Sequence, residues 1–118
     1  MSESGTSTRS SEPDGPLGTT LRIGTIRSCR PNDGARRPAY VLEIDLGPLG
    51  IVISSAQLTV RHTSGDLIGR QVVVATDLGT RMIAGVKSEA LVLGAEAASG
   101  GITLLGPDAA VADGTLVH

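Results

Sequence analysis

Short apolar runs dominate the chain from residue 19 onward. Runs of four to seven residues rich in Val, Ile and Leu are separated by Gly, Pro, Asn and Asp, the residues that favour turns. This punctuation is typical of an all-β domain rather than of a helical one. The clearest hairpin joins a strand over 39–46, where Leu42, Ile44 and Leu46 alternate with acidic residues, through a Gly-Pro-Leu-Gly turn to a strand over 50–54.

The same pattern predicts the remaining elements and the fold class. We expect strands at 20–28, 39–46, 50–54, 71–76, 83–86, 90–93, 101–105 and 115–117. Gly24 predicts a bend or bulge in the first strand, and hydroxyl and Asp residues between 54 and 69 predict one short helix after the third strand. Short strands, one mid-chain helix and roughly 100 ordered residues fit an all-β, five-stranded OB-fold (Greek-key) barrel with a C-terminal extension. A β-sandwich would have steadier strand spacing and no such helix.

The first 18 residues differ in composition from the rest. Ser, Thr, Gly, Glu and Pro dominate them, and almost nothing there can be buried. Such a segment does not gain enough apolar contact to offset its ordering entropy. The sequence therefore predicts a disordered N-terminal tail over 1–18 and one domain over 19–118.

Aromatic residues are almost absent, which limits the functions that the domain can have. Tyr40 is the single aromatic residue, at 1% of the chain, so the core must consist of aliphatic side chains. Recognition of single-stranded bases by stacking on an aromatic platform is thereby excluded. No apolar run approaches the ~20 residues of a membrane span, so we expect no membrane partner. The lone Cys29 and the lack of an apolar leader predict a cytoplasmic protein.

The net charge of −2 conceals an uneven distribution of charge. Residues 19–87 carry nine Lys and Arg against five Asp and Glu, whereas residues 88–118 carry no basic residue and four acidic ones. A basic body of this kind favours an anionic partner on one side. For any single Arg, a role in solubility alone is an equally good interpretation.

Catalytic and metal-binding signatures do not occur in the sequence. There is no GxxxxGK[ST], GxGxxG, HExxH or GxSxG motif. His62 and His118 have no Cys, His or paired carboxylates at metal-ligand spacing. A catalytic triad could be assembled from Ser54 or Ser55, His62 and Asp66, but such residues occur together by chance in most domains. We therefore expect a protein that is not an enzyme, with no metal and no cofactor.

Three segments carry a resemblance to a known family. They are Ser-Ser-Ala-Gln at 54–57, Leu-Ile-Gly-Arg-Gln-Val-Val at 67–73, and the run Arg-Met-Ile-Ala-Gly-Val-Lys-Ser-Glu at 81–89 that continues to 94. In order and spacing they resemble the CsaA family, small OB-fold proteins of the tRNA-binding-domain class that is also found appended to methionyl- and phenylalanyl-tRNA synthetases. The resemblance extends over about residues 20–117. It implies a non-catalytic homodimer described as an export-related chaperone or a tRNA-binding protein.

The resemblance also implies a set of binding residues. It puts Ser54, Ser55 and Gln57 where the third strand meets the binding face, with residues 81–89 facing them. Ser and Gln can both donate and accept hydrogen bonds, whereas Arg and Lys suit phosphate. An alternative for the Ser-Ser-Ala-Gln turn is that it satisfies buried backbone groups at a strand-to-helix corner. The predicted RNA-binding set is Arg36, Arg37, Ser54, Ser55, Gln57, Arg61, Arg81, Lys87 and Ser88.

Two functions remain open at this level. One is binding of folded tRNA by shape and phosphate contacts, with an affinity that falls with salt. The alternative is a chaperone that holds unfolded or preprotein clients in an apolar groove bordered by Gln57 and Ser88. In both cases we expect a homodimer, because a small aliphatic barrel buries a modest share of its surface, with the apolar segment 109–116 as its interface.

Overall fold

The computed structural model describes residues 17–34, 36, 38–59, 62–83 and 85–118. Nearly all of the predicted N-terminal tail lies outside these residues, as do Arg37 and Arg61 of the predicted binding set. The elements, in chain order, are β1 (Leu21–Pro31), β2 (Tyr40–Asp45), a 3-10 turn (Gly47–Leu49), β3 (Ile51–Ala56), α1 (Ser64–Leu67), β4 (Gln71–Ala75), β5 (Arg81–Ile83), β6 (Val86–Ser88), β7 (Leu91–Val92), β8 (Gly94–Glu96) and β9 (Ile102–Leu104).

The main sheet is a nearly closed antiparallel barrel, as the sequence predicts. Its five strands follow the order β3-β2-β1-β4-β7, and the one α-helix of the described residues lies between β3 and β4. Within the described chain, no helix is long and apolar enough to cross a membrane. The fold is therefore of the OB type, with β5–β6 and β8–β9 as two additional hairpins.

The long central strand β1 bends at a position that differs from the predicted one. Its register with β2 shifts between Ile26 and Ser28, which places a bulge at Arg27 rather than at Gly24. Gly24 has a different role, because a Cβ there would lie 2.6 Å from Cγ2 of Ile44 and 2.8 Å from a methyl of Leu46. The glycine thus allows β1 to pack closely against the inner side chains of the neighbouring strand.

The buried hydrophobic cluster at the centre of the barrel consists of aliphatic side chains. Its fully buried side chains come from several strands and from α1, and Leu67 of that helix is completely inaccessible to solvent. Thr63 caps α1 through its side chain, which accepts a hydrogen bond from the backbone N–H of Asp66. The short helix therefore serves to insert one leucine under the barrel. The largest buried hydrophobic residues are Ile26, Leu42, Ile44, Leu67, Val41, Val72 and Val74.

The barrel closes between β3 and the segment 88–90 with few backbone bonds. The carbonyl of Ile53 accepts from the N–H groups of Glu89 at 2.7 Å and Ala90 at 3.3 Å. Side chains supply the other contacts: Ile53 N–H donates to the Glu89 carboxylate at 3.1 Å, and Ser55 N–H donates to the Ser88 hydroxyl at 3.1 Å. We call this junction the closing seam.

Two predicted strands are wrong. The segment 83–86 is not one strand, because Ile83 ends β5, Val86 begins β6 and the chain reverses between them, where Gly85 has a φ of 82°. The segment 115–117 forms a single bridge between Leu116 and Arg22 instead of a strand. Isolated apolar residues at these positions suggested strands, but the chain reverses at the first and pairs through one residue only at the second.

The C-terminal segment lies along β1, and one carboxylate accepts several of the hydrogen bonds that hold it there. Asp113 accepts hydrogen bonds from Thr25 Oγ1 at 2.6 Å, from Gln71 Nε2 at 3.1 Å and from Arg27 at 3.4 Å. The backbone of Thr115 also accepts from Ile23 N–H at 2.9 Å. Part of the segment predicted as a dimer interface is therefore in contact with the barrel of its own chain.

Candidate functional site

Three cationic members of the predicted set are among the described residues, and they lie on a loop and a neighbouring hairpin. Arg36 is in the loop between β1 and β2, and Arg81 and Lys87 are on the β5–β6 hairpin; all three side chains are exposed. None of the three forms an ion pair or a side-chain hydrogen bond with another described residue. Their charges are thus available to an anionic ligand.

The two faces of the β5–β6 hairpin present different chemistry. Arg81 is paired across the hairpin with Ser88, and Met82 is paired with Lys87. Because side chains alternate along a strand, Arg81 and Ser88 share one face while Met82 and Lys87 share the other. The hairpin therefore presents one cation on each of its two faces.

A groove of about 210 Å³ lies beside the Arg81 face of the hairpin. Its walls are largely apolar, since Leu78, Ile83 and Leu91 line it while remaining partly exposed to solvent. Arg81 gives the groove a positive charge. The complete lining is Ser55, Leu78, Gly79, Arg81, Ile83, Ser88, Ala90 and Leu91.

The three predicted serines lie in different environments. Ser54 is fully buried opposite Leu42 within the barrel, and its hydroxyl has no hydrogen-bond partner among the described residues. Ser88 is also buried, and its hydroxyl accepts from Ser55 N–H and donates to the carbonyl of Ala90. Ser55 is half-buried and lines the groove. The backbone-satisfying role considered for the Ser-Ser-Ala-Gln turn thus belongs to Ser88, on the facing segment.

Gln57 and Glu89 flank this region in different ways. Gln57 follows the end of β3 and is exposed, next to the buried Leu58. Its amide can both donate to and accept from a ligand. Glu89 is committed to the closing seam through Ile53 N–H.

Asn32 is a residue of this region that the sequence does not single out. It is 7% exposed, and its side-chain amide donates to Ser55 Oγ at 3.3 Å and to the carbonyl of Ile83 at 3.4 Å. Its backbone N–H donates to the carbonyl of Ala39 at 2.9 Å, which closes the base of the Arg36 loop. In the sequence it stands in Pro-Asn-Asp-Gly, an ordinary turn signal, and only the contact with β5 distinguishes it.

Asp77 directly precedes the groove residue Leu78 in the chain, but its carboxylate is bound to the residues before β1. Its carboxylate accepts from Thr19 Oγ1 at 2.6 Å and from Thr20 N–H at 3.0 Å. The hydrogen bond from Thr19 is the main cause that lowers the pKa of Asp77 below its ordinary value. The ionised side chain therefore anchors the residues that lead into β1.

Most of the chain matches a known protein family. A family model described as a putative tRNA binding domain matches residues 21–116. The methionine–tRNA ligase of Leptospira biflexa is 33% identical over 97 residues, which are 82% of this chain and 14% of the ligase. The chain thus spans only about one seventh of the curated relatives that it matches.

Solved structures of similar length are also similar to this chain. The chaperone CsaA from Bacillus anthracis has 43% sequence identity and a TM-score of 0.81, over 86% of this chain and 93% of that one. The CsaA chaperone protein from Picrophilus torridus has 33% identity and a TM-score of 0.79, over 85% and 92% of the two chains. In each case the similarity covers most of both chains, so it applies to the domain as a whole rather than to a single motif.

Proposed function

Because the chain belongs to the tRNA-binding domain family and within it to the CsaA proteins, we propose that it binds tRNA through a basic, salt-sensitive face without catalysing a reaction. The observation that supports this most directly is that Arg36, Arg81 and Lys87 are exposed and unpaired within the described chain, on two loops that Asn32 links. Arg and Lys so placed address phosphate oxygens, which carry most of the affinity of proteins for nucleic acids.

The proposed binding mode relies on phosphate contacts because this protein has little aromatic surface for base stacking. Tyr40 is half-buried and packs against the core, and its hydroxyl donates to the carbonyl of His62 at 3.0 Å. Its ring is therefore engaged in the fold, and the sequence has no Phe or Trp for base stacking. Gln57 and Ser55 are the accessible polar groups that can read a base edge or a ribose hydroxyl. Affinity then comes from the cations, and selectivity comes from these two residues.

The experiment that tests this proposal is a titration of bulk tRNA at several salt concentrations. We expect the affinity of the wild-type protein to fall steeply with salt, and the Arg81→Ala, Lys87→Ala double variant to weaken binding and reduce the salt slope by about two. Arg70→Ala is the matched control, because Arg70 is an exposed cation beside α1, in contact with Nδ1 of His62. Equal losses from the double variant and from this control, or no binding at low salt, would contradict the proposal.

A second candidate function rests on the apolar groove. Leu78 is 54% exposed and Leu91 is 52% exposed, which is unusual for leucines that line a concave surface. A groove with such walls fits side chains of an extended polypeptide, and the two structural neighbours named above are called chaperones. A Leu78→Ser, Leu91→Ser variant should then lose suppression of light scattering by an unfolded client while retaining tRNA binding.

The oligomeric state, the cellular location and the domain boundary are also proposed. We propose a homodimer in the cytoplasm, with 109–116 and the nearby Leu105 in the interface, since Leu105 and Val111 are exposed apolar residues of this region. We also propose that the folded domain covers 19–118 and that 1–18 is a disordered tail. Sedimentation at micromolar concentration tests the dimer, and limited proteolysis followed by mass measurement tests the domain boundary.

A further inference from the structure

The β5–β6 hairpin has few hydrogen bonds to the rest of the protein. It forms its own two-stranded sheet and is not a member of the main barrel sheet. Ser88, at the end of β6, is held in the closing seam by its hydroxyl. Within the described chain, β5 has one hydrogen bond to a residue outside the hairpin, the bond from Asn32 to the carbonyl of Ile83. Apart from its pairing with β6, the strand that carries Arg81 is therefore tied to the rest of the described chain by the hydrogen bond of one side chain.

The donor atom of Asn32 is determined by its partners. A backbone carbonyl only accepts hydrogen bonds, so the group that faces Ile83 must be the NH2 of the amide. The same nitrogen has a second hydrogen, which it donates to Ser55 Oγ. Because Asn32 is 7% exposed, water does not readily replace these bonds when the amide is removed.

Asn32 also belongs to the loop that carries Arg36. It lies four residues before Arg36 in the chain, and its backbone partner Ala39 directly precedes β2. The bond from the N–H of Asn32 to the carbonyl of Ala39 therefore joins the two ends of that loop. One buried residue thus connects the Arg36 loop, the groove residue Ser55 and the Arg81 strand.

We propose that Asn32 is a positioning residue for RNA binding. It holds the Arg36 loop and the β5–β6 hairpin at a fixed distance from each other, so that the cations of both contact the phosphates of a folded RNA at the same time. The inference rests on the proposed function. A fixed arrangement of charges favours a rigid ligand, because neither partner has to be ordered on binding. A flexible single strand gains less from it, since it can adapt its phosphates to either loop.

The test compares Asn32→Ala with wild-type protein on two probes, bulk tRNA and a uridine-only RNA of similar length. We expect the variant to bind tRNA about tenfold more weakly and to lose about one unit of salt slope although no charge has changed. Binding of the uridine RNA should change about twofold or less. In the variant background Arg81→Ala should cost less tRNA affinity than in the wild type, because Arg81 is then no longer held in place.

Two further variants separate positioning from a loss of stability. Asn32→Leu has a side chain of similar size without its donors and should behave like Asn32→Ala. Thr25→Val removes another side-chain hydrogen bond, that from Thr25 to Asp113, and should lower stability without a change in the ratio of tRNA to uridine RNA affinity. Hydrogen exchange should be faster in 81–88 for the Asn32 variants alone.

The outcomes distinguish this inference from the function on which it rests. If wild-type protein binds tRNA and both Asn32 variants bind it with the same affinity and salt slope, the positioning role is wrong and the proposed function stands. The positioning role is also wrong if the two probes lose affinity equally. If wild-type protein does not bind tRNA at low salt, the proposed function fails and the RNA role of Asn32 fails with it.

Discussion

At the scale of single residues, Ser54 and Ser88 show that the same buried hydroxyl can contribute differently to the stability of the fold. Both hydroxyls are buried, but among the described residues that of Ser88 has a donor and an acceptor as partners while that of Ser54 has none. Burial of a polar group without a partner costs free energy, and removal of one member of a buried pair exposes the other to the same penalty. The two serines should therefore respond in opposite directions to the same substitution.

Ser54→Ala should stabilise the protein by up to about 1 kcal/mol, because it removes an unpartnered hydroxyl from an aliphatic interior. Ser88→Ala should destabilise it by about 1 to 3 kcal/mol, because the N–H of Ser55 loses its acceptor. Urea unfolding monitored by circular dichroism measures both. A loss of stability in Ser54→Ala would mean that the hydroxyl has a partner in solution.

At the scale of elements, the closing seam depends on side chains where a regular barrel uses a backbone ladder. Glu89 replaces a backbone carbonyl as the acceptor for Ile53 N–H. This arrangement lets the chain turn out of β6 and enter β7 within two intervening residues, 89 and 90. The contribution of Glu89 is thus that of an acceptor oxygen, for which its charge is not required.

Glu89→Gln should change the free energy of unfolding little, since its amide oxygen can still accept from Ile53, whereas Glu89→Ala should cost about 1 to 2 kcal/mol. Chemical denaturation of the two variants beside the wild type provides the comparison. Equal costs for Gln and Ala would show that the carboxylate charge, rather than the acceptor, stabilises the seam.

Two acidic residues at element ends predict the response of the fold to acid. Hydrogen bonds lower the pKa of Asp77, chiefly that from Thr19, and the pKa of Asp45, chiefly that from the backbone N–H of Gly47. A folded-state pKa below the unfolded value means that the unfolded chain takes up protons first, so stability decreases as the pH falls. This contribution is complete above the ordinary carboxyl pKa of about 3.9 and is lost at lower pH.

The thermal midpoint should therefore fall between about pH 5 and pH 2, and less steeply in Asp77→Asn than in the wild type. The variant removes one of the two carboxyls whose pKa is lowered in the fold, while it retains an oxygen that can accept from Thr19. Differential scanning calorimetry across this pH range measures the slopes. Identical slopes would mean that Asp77 does not contribute to acid sensitivity.

At the scale of the whole molecule, half of the acidic residues in the C-terminal third accept hydrogen bonds that hold separate segments of the fold together. Asp113 holds the C-terminal segment against β1 and β4, and Glu89 closes the barrel. These two of its four acidic residues are therefore used internally.

Asp113→Ala should destabilise the protein by about 2 kcal/mol and increase hydrogen exchange over 111–118, because Thr25, Gln71 and Arg27 lose a common acceptor. Asp108→Ala is the control, as an exposed acidic residue of the same segment. If exchange in the segment does not change, its backbone bonds to β1 and the side-chain bonds of Gln71 and Arg22 are sufficient to hold it.

The all-β class, the short helix after β3 and most strand positions could be predicted from the sequence by itself. The alternation of apolar residues reports directly on which face of a strand is buried, and this information is local. Local motifs also indicated the family and the exposed cations Arg36, Arg81 and Lys87 of the candidate site.

The bulge at Arg27, the turn at Gly85 and the burial of Ser54 and Ser88 were decided only in the tertiary structure. Each depends on a partner distant along the chain or on another strand: β2 beside β1, β6 beside β5, and the seam between 53–55 and 88–90. Asn32 is of the same kind, since 51 residues separate it from the carbonyl of Ile83 that it binds. Local propensity carries no information about such contacts, because they form only when the closure of the barrel brings the two segments together.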